Sequence, residues 1–173
     1  MKVECSNQVM DLFMILVTGI GAYTDIKYHK IYNGLTNSAM LVGIGYHVWA
    51  GGLGGLLHSL SGILIGFSFA AFWILGMLKA GDIKLYMAVG ALAGWRFCGY
   101  VMITSVLIGG AVAAFLMTIR KTGRTSLKRL KEYLLHLLYM KRFFMYQPEE
   151  KNAYFSFGCC IFAGALVTVW YLR

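Results

Sequence analysis

The sequence predicts an all-α, polytopic membrane protein with about six transmembrane helices and one amphipathic helix lying in the membrane interface. Three observations carry this expectation. Apolar residues make up 59% of the 173 positions and charged residues 13%, whereas soluble domains hold roughly 25% charged residues. The apolar residues gather into runs near the roughly 20 residues that cross a hydrocarbon layer. The sixteen Lys and Arg residues fall mainly between those runs. A chain of this length makes one compact unit, read here as a single membrane-embedded domain over 1–173.

A window of about 19 residues predicts helices over 8–24, 34–50, 57–78, 83–96, 97–119 and 153–172. The first and fourth are short for a full crossing. Arg96 and Gly99 divide an apolar run too long for one span. The stretch Gly51-Gly52-Leu53-Gly54-Gly55 reads as a flexible turn. Gly62 and Gly66, and Gly90 and Gly94, stand four apart and offer small faces for close helix contact. Met1 to Gln8 carries Lys2 and Glu4 and no small-residue cleavage site, so the first run is expected to stay as a helix. Between 120 and 152 lies a basic loop. Its Leu127, Leu130, Leu134, Leu137 and Leu138 recur at helical spacing beside Lys128, Arg129 and Lys131, as in a helix with its leucines in the membrane interface.

Charge sets the expected direction. If the loop after the first helix is cytoplasmic, then Lys27, Lys30, Lys79, Lys84 and the nine basic residues of 120–152 lie inside, and only Lys2, Arg96 and Arg173 lie outside. The reverse orientation opposes the positive-inside rule. Both termini are then outside, in a multi-pass protein of the inner (plasma) membrane. The net charge of +9 is matched to anionic lipids of the bilayer rather than to nucleic acid. The four cysteines, Cys5, Cys98, Cys159 and Cys160, show no metal-ligand spacing and read as small apolar residues. No metal and no organic cofactor is expected.

Of the seven acids, Glu132, Glu149 and Glu150 fall in the basic loop, Glu4 near the outer end, and Asp11 near the start of the first helix, where the helix dipole favours it. Asp25 and Asp82 remain. Each alone reads equally as a helix-end acid, Asp25 balanced by Lys27 and Lys30, Asp82 capping the fourth helix. Together they share one depth at the cytoplasmic end of helices far apart in sequence. Acids near hydrocarbon are costly and usually functional. Two close carboxylates cannot readily both ionise, so they share a proton: one takes a proton from water, the other polarises a carbonyl. That chemistry suits peptide hydrolysis. His29, His47, His58 and His136 are scattered and form no competing triad; His29 reads as an interface residue.

The stretch Asp25-Ile26-Lys27-Tyr28-His29-Lys30-Ile31-Tyr32-Asn33-Gly34-Leu35 resembles the first signature of type IV prepilin peptidases, an aspartate, basic residues and then Ile-Pro-Asn. Ala80-Gly81-Asp82-Ile83-Lys84-Leu85 resembles the second, Gly-x-Gly-Asp-[Val/Ile]-Lys-Leu, and Met87–Leu92 resembles the residues that commonly succeed that signature. Tyr154-Phe155-Ser156-Phe157-Gly158, with Gly164-Ala165, resembles the start and small-residue patch of the last helix. Two positions depart: Lys79 stands where the first Gly is usual, and Tyr32 where Pro is usual. The resemblance implies a membrane aspartic endopeptidase of the GxGD type that removes the basic leader of a prepilin or pseudopilin at the cytoplasmic face. It implies Asp25 and Asp82 as the catalytic pair; Gly81, Lys84, Lys27 and Asn33 beside them are expected to bind substrate or support the site. Larger members carry a four-cysteine metal insert and methylate the new N-terminus. No CxxC precedes the second helix here, as in short members serving tight-adherence pili, so no methyltransferase is expected. A homo-oligomer is compatible with the sequence.

Two other functions fit an acid pair in a membrane. A proton- or cation-coupled transporter would show internal repeats and acids at mid-membrane, and neither is found. A non-catalytic subunit of a pilus or secretion machine derived from such an enzyme would have lost an aspartate, and both are kept.

Overall fold

The computed structural model describes residues 2–74, 78–119 and 156–172, with side chains except those of 2–8 and 116–119. The expected basic loop and interfacial helix within 120–152 lie outside these residues. Five helices make up the described chain: α1 Lys2–Tyr28, α2 Asn33–Ser68, α3 Ala70–Ile74, α4 Ala80–Ile119 and α5 Phe157–Leu172. Among the described residues there is no strand.

Two of these helices are hairpins. In α2, Gly52 takes φ 55° and ψ −132°. Beyond it, the Ser59 hydroxyl donates to the Gly43 carbonyl at 3.4 Å. Residues sixteen apart on one straight helix would stand about 24 Å apart along its axis. In α4, Gly94 takes φ 83° and ψ 176°, and Cys98 Sγ reaches the Tyr86 carbonyl at 3.5 Å, where a straight helix would separate them by about 18 Å. Glycine is what allows both reversals, since neither backbone conformation suits a side chain. The described chain therefore holds six helical arms of ten residues or more: 2–28, 33–51, 53–68, 80–93, 95–119 and 157–172.

The first reversal falls inside the expected glycine-rich turn. The second comes at Gly94, ahead of the expected division at Arg96; Arg96 itself is exposed and lies over the Trp95 ring, 5.2 Å from its centroid. The arm 2–28 is longer at both ends than the expected 8–24. Asp11 is consequently not at a helix start. It sits in the third turn of α1 and is only 5% exposed.

The arm 80–93 is the centre of the molecule. Ile83, Leu85, Tyr86, Ala88, Val89, Ala91 and Leu92 are all buried, and a helix apolar all round needs neighbours all round. α2 is the main neighbour of α4, followed by α5 and α1. Close approach depends on missing side chains: a Cβ at Gly62 would lie 2.0 Å from the Gly90 carbonyl oxygen, and one at Gly43 2.7 Å from the Ala91 backbone. Gly62 and Gly90 thus meet backbone to backbone, the contact small residues make in membrane helices. Gly94 serves the reversal as well as close packing, since a Cβ there would collide with the His58 ring. The outside is apolar: Leu12, Leu16, Ile20, Leu41, Leu53, Leu64, Leu107, Phe115 and Trp170 are exposed. Such a surface suits lipid, and three helices, α1, α2 and α4, contain stretches long and apolar enough to cross a membrane.

Candidate active site

Asp25 lies in the last turns of α1 and Asp82 in the first turn of α4. Both are 1% exposed, and both line one cavity of about 400 Å3. Fifty-seven residues apart in sequence, they come together because α1 ends beside the start of the central arm.

Each carboxylate rests on the N-terminus of a helix. Asp82 Oδ2 accepts the main-chain N–H of Lys79 at 3.1 Å, while the Asp82 N–H donates back to the Lys79 carbonyl at 3.0 Å. This reciprocal pair satisfies groups a helix start leaves open. Asp25 Oδ2 accepts the Gly158 N–H, in the first turn of α5, at 3.1 Å, and the Ser156 hydroxyl donates to the Asp25 main-chain carbonyl at 3.3 Å. The positive ends of both helices favour negative charge here. Asp25 Oδ1 forms an ion pair with the Lys79 ammonium at 3.2 Å. Asp82 Oδ1 is buried and makes no hydrogen bond to the described residues.

The supporting residues divide. Lys84 Nζ donates to Asn33 Oδ1 at 2.9 Å, joining the start of α4 to the start of α2, and both line the cavity. Gly81 lines it too; a Cβ there would press on Ile31 Cβ at 3.2 Å, so its bareness admits the connection after α1. Lys27 turns elsewhere: its ammonium lies 3.4 Å from the Tyr23 hydroxyl and 5.4 Å from the Tyr28 ring centroid, and it is not among the lining residues. His29 and Lys30 line the cavity as well.

Two contacts of the site have no counterpart in the sequence reading. The sequence marks Lys79 as a basic residue of the inner face and a departure from a motif, yet it contacts both acids. Gly158 belonged to a recognised stretch without a role, yet its N–H holds Asp25, and a Cβ on it would lie 3.1 Å from Asp25 Cβ. The available signals were a lysine three positions before a membrane acid and a glycine opening an apolar run.

The two buried carboxylates line one cavity in unlike surroundings, Asp25 paired with a cation and an amide and Asp82 bonded by a single amide. Among the described residues no three His, Cys, Asp or Glu gather as a metal site would require.

The family model described as the type IV leader peptidase family matches residues 12–114, a stretch that holds both Asp25 and Asp82. The chain belongs to the type IV leader peptidase family. No curated protein and no solved structure matches it. As a type IV leader peptidase the protein is a peptide-bond hydrolase acting on prepilin-type substrates, and with its long apolar helices it is an integral membrane protein. The match ends before α5, so the Gly158 contact to Asp25 lies outside the matched stretch.

Proposed function

We propose that this leader peptidase is an aspartic endopeptidase whose catalytic pair is Asp25 and Asp82. One observation carries the reading: two buried acids from distant helix ends line a single cavity, bridged by Lys79. One carboxylate takes a proton from water as the water oxygen bonds to the scissile carbonyl carbon. The other, protonated, gives its proton to the carbonyl oxygen, and the leaving amine is protonated as the C–N bond breaks. No covalent intermediate is needed. Gly81, Lys84 and Asn33 shape the cavity wall, whereas Lys27 faces away from it toward Tyr23 and Tyr28.

The six arms are proposed as six crossings of the inner membrane by one domain spanning 1–173, with both termini outside. The acids, at the end of α1 and the start of α4, then open to the cytoplasm, where the basic leader of a prepilin or pseudopilin is presented. The loop 120–152 lies on the same face, its leucines in the interface and its basic residues against anionic lipid.

The test is co-expression with a small membrane protein carrying a basic leader, a glycine and about 20 apolar residues. Removal of the leader is read as a gel shift. Asp25→Asn and Asp82→Asn should each abolish it while the protein still inserts; a retained shift in either variant would refute the paired mechanism.

A further inference from the structure

Lys79 touches both acids through different atoms, and this separates them chemically. We propose that Lys79 is a positioning residue that decides which aspartate carries the charge: it holds Asp25 as the carboxylate and leaves the shared proton on Asp82. The inference rests on the aspartic peptidase reading above and goes beyond it by assigning the two roles.

Asp25 has a donor on each oxygen, the Lys79 ammonium at 3.2 Å on Oδ1 and the Gly158 amide at 3.1 Å on Oδ2. Those are the partners an ionised carboxylate needs, one of them charged. Asp82 has one amide on Oδ2 and no hydrogen bond from the described residues on its buried Oδ1. Left ionised, its buried Oδ1 would hold charge with no donor from the described residues. As a neutral acid it escapes that penalty. The other charged or titratable groups around the pair are Lys84 at the start of α4, His29, Lys30 and Tyr32 beyond α1, Cys159 and Cys160 on α5, and Tyr86 on the central arm. Lys84 is engaged by Asn33. A single negative charge on a buried pair is tolerated best with a cation in contact, and Lys79 supplies one.

The assignment gives each step a direction. Asp25 takes the proton from water as the water oxygen bonds to the carbonyl carbon, and Asp82 gives its proton to the carbonyl oxygen. As the C–N bond breaks, Asp25 passes its proton to the amine, and Asp82 recovers one from the hydroxyl of the forming acid. Both aspartates return to their starting states. Lys79 exchanges no proton and acts through Asp25. Where glycine occupies this position, the single charge has to be held by other groups.

Substitution of Lys79 leaves its main-chain N–H on Asp82, so changing the side chain isolates the ammonium. Purified wild type, Lys79→Met and Lys79→Arg are compared in steady-state cleavage of a leader-bearing prepilin-type substrate. Thermal unfolding is followed for wild type, Lys79→Met, Asp25→Asn and the double variant. Lys79→Met should lower kcat about 10-fold or more, part of the 10²–10⁴ that positioned proton transfer contributes. KM should stay within about twofold, the pattern of an interaction that acts on the chemical step, and Lys79→Arg should recover most of the loss. Lys79→Met should also lower the melting temperature when Asp25 is present and not when it is Asn, a coupling that a merely local role would not produce.

A Lys79→Met enzyme as fast as wild type, or faster, would overturn the assignment; so would equal melting shifts in both backgrounds. A wild-type chain that cuts no leader sinks the peptidase reading and this inference with it. Cleavage that is lost in Asp25→Asn and Asp82→Asn but intact in Lys79→Met sinks this inference alone.

Discussion

Replacing Gly158 by alanine should slow leader cleavage while leaving the fold almost as stable. The added Cβ would lie 3.1 Å from Asp25 Cβ, 3.2 Å from its Oδ2 and 3.5 Å from Ala22 Cα. Ordinary contact begins at 3.4 Å, so Asp25 must yield by about 0.3 Å. It has little room, being 1% exposed and bonded at both oxygens. A misplacement of about 1 Å in a catalytic group can cost 10²-fold; a proportionate share of that free energy for 0.3 Å is roughly fourfold in kcat. Gly158→Val, with two more carbons in the same space, should lose at least about 10²-fold on the same scale. Stability should move much less, because alanine gains up to about 1 kcal/mol over glycine in a helix, which offsets a strain of similar size. The net melting shift for a chain of this length is then within about 4 °C. The assay is steady-state cleavage by purified variants alongside thermal unfolding. A fully active Gly158→Val would refute the reasoning, since α5 could not then be what holds Asp25 in place.

Other substitutions probe the frame around the acids. Gly62→Ala drives a Cβ to within 2.0 Å of the Gly90 carbonyl oxygen, and should destabilise by about 1–3 kcal/mol as the helices part, measured by unfolding in detergent. Leu85→Ala, at a fully buried position of the central arm, should cost about 2–5 kcal/mol by the same measurement. Lys84→Ala and Asn33→Ala remove the two ends of one 2.9 Å hydrogen bond; the double variant should lose no more than either single one, with a coupling of about 0.5–1.5 kcal/mol. A reporter fused after Arg124 should read as cytoplasmic in a topology assay, and an external readout would overturn the charge-based orientation.

Much of the helical frame was legible because lipid imposes a simple pattern on sequence. Apolar length marks the helices, and glycines in a run mark a turn, as at Gly52. Gly94 was harder. Its neighbours Gly90 and Arg96 each offered a competing reading, as a packing surface and as a loop charge, and only the reversed backbone at Gly94 decides between them. Asp11 was misplaced because the polar residues 2–8 hide a helix that begins at Lys2. At the site, the two aspartates stood out because a buried charge is rare in an apolar chain. Lys79 did not, since no periodicity tells which way a long flexible side chain will turn. Gly158 did not because its role belongs to a backbone N–H, which every residue but proline carries. Lys27 illustrates the converse: it is close to Asp25 in sequence, but two positions along a helix it faces elsewhere, toward Tyr23 and Tyr28.

The most direct test of the central claim is the leader-cleavage rate of purified Asp25→Asn, Asp82→Asn and the double variant, each verified as folded by its melting curve. If the two acids work as a unit, each single variant should lose as much activity as the double, because neither half of the exchange runs without the other. Substantial cleavage by either single variant, or losses that multiply in the double, would contradict the account.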